Sequence, residues 1–154
     1  MYSASSANSP RPKPLSAKAI ECDGGFLYAY IQMAILLNVE RKYDENEANL
    51  RQALSRFPEE WELHYQSGAA YAGLKDYGNA EGEYLKAQSI NAAALPTEFH
   101  VKLADAYLQQ KQWEKAYTEM RSYLGSDPSG EFADETRTLM RRMESAGVVH
   151  PAAP

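Results

Sequence analysis

The chain has 154 residues, of which 44% are hydrophobic, the length and make-up of one ordinary globular domain. A formal net charge of −5 disfavours wholesale binding to nucleic-acid phosphates, and no apolar run reaches the roughly 18 residues that a membrane span requires. One cysteine, Cys22, excludes an internal disulfide, and three scattered histidines give it no partners for a structural zinc site.

The first stretch, residues 1–14 (MYSASSANSPRPKP), carries Pro10, Pro12 and Pro14. Prolines at every second position forbid a helix and favour extended chain, so a tail is expected. It has no apolar core of a secretory signal, and a cytoplasmic chain is expected. Residues 15–26 (LSAKAIECDGGF) have helical composition but are cut short by the prolines before them. They are read either as a partial repeat or as an N-terminal capping helix.

Three helix pairs follow, over 27–60, 61–94 and 97–130. In the middle unit Gly68, Tyr71, Ala80, Tyr84 and Ala87 stand at positions 8, 11, 20, 24 and 27, counting Trp61 as the first. Counting from Leu27, Ala34, Leu37, Leu50 and Ala53 fall at 8, 11, 24 and 27; counting from Thr97, so do Ala104, Tyr107, Met120 and Tyr123. Small residues recur where two helices must touch, and large ones where a neighbour must fill space. Position 17 is aromatic each time (Tyr43, Tyr77, Trp113), and Pro58 and Pro128 close the first and third units. Two positions depart from the pattern. Asn46 replaces a small apolar residue at position 20, which predicts a slightly parted helix pair, and Tyr123 is oversized at position 27.

In the first unit helices are predicted over about 26–38 and 45–55, the second capped by Asp44. In the second, Glu59 and Glu60 favour a helix start through the dipole. In the third, Thr97 and Glu98 open the first helix, with Gln112 and Trp113 in the turn. Residues 131–146 form a last amphipathic helix, with Phe132, Thr136, Leu139, Met140 and Met143 on one face, Ser129 as candidate N-cap and Gly147 as candidate C′ residue. It reads as a cap on the stack, and 147–154 as a tail.

Three copies in phase at a period of about 34 residues resemble the tetratricopeptide (TPR) repeat. The resemblance covers 27–130 and implies an all-α fold, a right-handed solenoid of antiparallel helix pairs whose neighbours share one core. No catalytic constellation, cofactor motif or metal site is found, so no enzyme, no cofactor and no metal are expected. His64 and His100, both at position 4, are read as packing residues, and the carboxylates as solvated.

The resemblance also implies a concave groove lined by positions 2, 5, 9 and 12 of each first helix. Those residues are Tyr28, Ile31, Ile35 and Asn38, then Glu62, Tyr65, Ala69 and Ala72, then Glu98, Val101, Asp105 and Leu108. An extended or helical peptide with apolar anchors and a basic residue would fit there. TPR domains that grip the C-terminal carboxylate of Hsp70 and Hsp90 carry Lys, Asn, Asn, Lys and Arg where this chain has Ile31, Ile35, Gln66, Glu98 and Lys102. That carboxylate is therefore expected not to be a partner. The expected role is a non-catalytic protein-interaction scaffold for an unidentified protein or peptide. The alternative is a structural C-terminal piece of a longer TPR protein that extends and caps a solenoid. The chain is expected to be a monomer, or a dimer through its apolar N-terminal face.

Overall fold

A computed structural model describes residues 24–151. The predicted tail over 1–14, most of the partial repeat over 15–26, Cys22 and the last three residues lie outside the described residues. Seven α-helices follow one another among those described: α1 (Gly24–Val39), α2 (Tyr43–Arg56), α3 (Trp61–Gly73), α4 (Tyr77–Asn91), α5 (Phe99–Gln109), α6 (Trp113–Ser126) and α7 (Ala133–Ser145), with a 3₁₀ turn at Ala92–Ala94. α1–α2, α3–α4 and α5–α6 pack as hairpins, and each hairpin lies against the next. The fold is an all-helical solenoid.

The seam inside each hairpin is a matched pair at positions 8 and 24. It is Ala34 with Leu50 in the first, Gly68 with Tyr84 in the second, and Ala104 with Met120 in the third. Gly68 has no side chain because a Cβ there would fall 2.5 Å from the Tyr84 ring. The bulkiest partner thus faces the smallest residue, and the volume across the seam is kept.

Each turn between the helices of a pair is closed by a basic residue in the left-handed region: Arg41 (φ 62°), Lys75 (φ 64°) and Lys111 (φ 61°). Around each, two backbone bonds tie off the helix end, as in Lys75 N to Ala72 O (3.0 Å) and Asp76 N to Tyr71 O (2.9 Å). This is a Schellman ending with Lys or Arg where glycine is usual. The next residues start the second helices, so Trp113, placed in a turn by the sequence reading, opens α6. Asp44 lies inside the first turn of α2 rather than capping it, whereas Asp76 accepts from the Asn79 N–H and does cap α4.

Asn46 is fully buried and its Nδ2 donates to the Ala34 carbonyl at 2.8 Å. The helices are held across this residue by a polar tie, where a parted pair was expected. Asn46→Ala should cost about 1–2 kcal/mol by loss of a buried hydrogen bond and of packing volume, measurable by urea unfolding.

Tyr123 is also absorbed. Its ring packs against Phe132 (centroids 6.3 Å apart) and its hydroxyl accepts from the Phe132 N–H at 3.2 Å. A Cβ at Gly130 would lie 2.5 Å from that hydroxyl, so glycine is needed where the chain turns into α7. α7 begins at Ala133 with Phe132, not Ser129, at its cap, and Gly147 (φ 73°) ends it as expected. The stretch read as a tail is partly packed. Val149 is 1% exposed within the main core cluster, and His150 N–H donates to Glu114.

Candidate functional site

Successive first helices α3, α5 and α7 present a concave surface with two pockets. One, of about 370 Å³, is lined by Ala69, Ala72 and Gly73 of α3, by Val101, Lys102 and Asp105 of α5, and by Glu98. Tyr43, Tyr84 and Phe132 complete it. Small residues on α3 leave the space open, and Val101 supplies an apolar wall. Glu98, Lys102 and Asp105 are exposed at its edge, two anions and one cation. The second pocket, of about 290 Å³, lies between α5 and α7 and is lined by Val101, Leu108, Phe132, Glu135 and Leu139 among others.

Of the residues placed in the groove by the sequence, Ala69, Ala72, Glu98, Val101 and Asp105 come together in the first pocket, and Leu108 lines the second. Tyr65 and Ile31 instead turn into the core, each 9% exposed. Tyr65 stacks among Trp61, Tyr84 and Phe99 with centroids 6.0–6.3 Å away. Tyr28 is 57% exposed and Ile35 packs on the first core cluster. Asn38 Nδ2 donates to Gln66 Oε1 at 2.9 Å, and its own oxygen is buried without a hydrogen-bond partner. Burial, then the nearby Glu60 charge, raises Glu62 above the ordinary carboxylate range.

Lys102, Gly73, Tyr43 and Phe132 line the pocket without having been assigned to the groove. For Phe132 the signal was present. Residue 131 stands one period after Thr97, so Phe132, Glu135 and Leu139 occupy positions 2, 5 and 9 of a further first helix. The cap continues the groove.

The two histidines do more than fill space. His64 is 5% exposed, with Nδ1 on Glu83 Oε1 at 2.7 Å and Nε2 on the Pro58 carbonyl at 2.8 Å. His100 Nδ1 meets Glu119 Oε1 at the same 2.7 Å. Positions 4 and 23 thus form a histidine–carboxylate pair in two units, and the expectation of solvated carboxylates fails at Glu83 and Glu119, both partly covered. Among the described residues no group of three or more His, Cys, Asp or Glu could hold a metal ion. No described helix is long and apolar enough to cross a membrane.

The helix-pair stack, its period and its concave first-helix surface define a TPR fold. A solved structure with this architecture, described as the first TPR of Spaghetti (RPAP3) bound to the HSP90 peptide SRMEEVD, superposes with a TM-score of 0.67 at 19% identity, over 80% of this chain and 96% of that one. No family model and no curated protein matches the sequence. The likeness carries the fold.

It also corrects one expectation. Exclusion of the Hsp70/Hsp90 C-terminal carboxylate rested on clamp positions compared one by one, yet a chain of this fold is seen with an HSP90 peptide bound. In physical terms, Lys102 lines the pocket between α3 and α5 and keeps a cation beside Glu98 and Asp105. A carboxylate is not met by negative charge alone, and the exclusion does not hold.

Proposed function

We propose that the chain is a non-catalytic protein-interaction scaffold that takes an extended segment of a partner along the groove of α3, α5 and α7. The observation that supports this is the pocket of about 370 Å³ between α3 and α5, with an apolar wall and an edge of mixed charge. Val101 and the small Ala69 and Ala72 would receive an apolar anchor. Lys102, Glu98 and Asp105 would set the orientation of charged groups on either side of it. Concave sites of this kind are mostly apolar, with a few placed polar groups.

The test is panning of a displayed peptide library against the native chain, with the neighbour's peptide SRMEEVD included as a probe. Selected peptides should lose at least tenfold in affinity for Val101→Arg, about 1.4 kcal/mol. Val101 is half-buried on the groove side, so the variant should melt within about 2 °C of the native chain, the size of a surface substitution. Equal binding to both chains, or no selectable peptide, would count against the groove.

A further inference from the structure

The outer face of α1 is the face that the other first helices bury. At positions 3, 7 and 10, α3 carries Leu63, Ser67 and Ala70, which are 0%, 6% and 1% exposed. The same positions in α5 are Phe99, Leu103 and Ala106, at 1%, 0% and 1%. In α1 they are Ala29, Met33 and Leu36, and here Met33 and Leu36 are 46% and 49% exposed. Tyr28 and Val39 extend the strip at 57% and 74%. All 16 residues of α1 are uncharged. A helix with no charge on any face is usually covered on most of them, so this strip is a stacking surface that has no layer over it among the described residues.

The chain immediately before α1 has the register to supply that layer. In the next junction Ala53 lies eight residues before Trp61 and Leu54 seven, and both pack in the cluster that holds Leu63 and Ala70. Ala19 and Ile20 stand eight and seven residues before Leu27. On helical spacing Ser16, Ala19 and Ile20 fall on one side with Leu15 next to them, while Ala17, Lys18 and Glu21 fall on the other. We propose that the segment Leu15–Cys22 docks on the Ala29, Met33 and Leu36 face of α1, in the register of a second helix, and closes the N-terminal end of the stack. The tether to α1 holds the segment at an effective concentration in the millimolar range. A short contact therefore suffices, and the uncharged strip meets the uncharged side of the segment.

With Cys22, which stands where Arg56 is exposed, replaced by Ser, a cysteine placed at Ala19 reports on this directly, because Ala19 stands where Ala53 is fully buried. In the full-length protein its reaction with a disulfide reagent should be at least tenfold slower than in the urea-unfolded chain. Ile20→Arg on the docking side, and Leu36→Asp on α1, should each restore fast labelling while the helical signal is retained. Ala17→Arg, on the polar side of the segment, should leave it slow. Equal rates in the native and unfolded chains would overturn the proposal. So would protection that rises with protein concentration alongside a doubled mass by light scattering, since that result assigns the face to a second copy.

Discussion

Gly68→Ala is expected to destabilise the protein by about 3 kcal/mol, the upper end of overpacking costs. The added methyl would meet the Tyr84 ring at 2.5 Å, and that ring is 1% exposed and fixed edge-on against Phe99 at 5.9 Å. Tyr84→Leu alone should cost about as much by leaving a cavity. Together the two changes recreate the Ala34–Leu50 pair of the first hairpin. The double variant is therefore expected to lose no more than either single one, a coupling of about 2–3 kcal/mol between residues in contact. Urea unfolding of the four chains measures it. Simple additivity would mean that the glycine is there for another reason.

His64→Gln is expected to cost about 3 kcal/mol at pH 6 and much less at pH 9. Both groups that meet the imidazole are acceptors, the Glu83 carboxylate and the Pro58 carbonyl, so both ring nitrogens must donate and the ring is held as imidazolium. Burial opposes the charge, but the bonds to Glu83 and Pro58 and the Glu83 charge outweigh it, against a smaller opposing effect of Lys86, and His64 is raised above its ordinary value. A raised value in the folded state means stability that is complete below the unfolded value of about 6.5 and lost as pH rises through the folded one. Thermal melts across that window should show the native chain losing stability as His64 deprotonates, with the variant nearly flat. Breaking a hydrogen bond to a charged group costs about 1.5–3 kcal/mol, and this residue makes two bonds. A native chain as indifferent to pH as the variant would show that His64 is neutral.

Spacing alone made the helix pairs readable, since period and small-to-large alternation are local properties of a repeat. Gly68, Ala80 and Ala87 announced a close approach because nothing larger fits where backbones meet. The left-handed turns were legible in principle, as a basic residue at position 15 of every unit, but Lys and Arg are not residues that signal such a backbone. Asn46 and Tyr123 were visible only as misfits. The Ala34 carbonyl and the Phe132 N–H that satisfy them lie 12 and 9 residues away and are brought near only by folding. Glu83 and Glu119 looked like surface charge for the same reason, each 19 residues from its histidine.

The groove divides along the same line. Repeat position assigned Ala69, Val101 and Asp105 to one concave surface, the three line a common pocket, and the same rule extended by one period would have added Phe132, Glu135 and Leu139. It could not separate Tyr65 and Ile31 from that surface. Whether a side chain at a facing position reaches solvent or turns inward depends on the volumes around it, here Tyr84 and Phe99 for Tyr65. By itself, the sequence determined the helical period, the pairing of helices and the face each one offers, because these follow from which residues recur at which spacing. Tertiary structure alone decided which large side chains are core and which are groove, and which polar groups are paired, because those depend on atoms that only packing brings within contact distance.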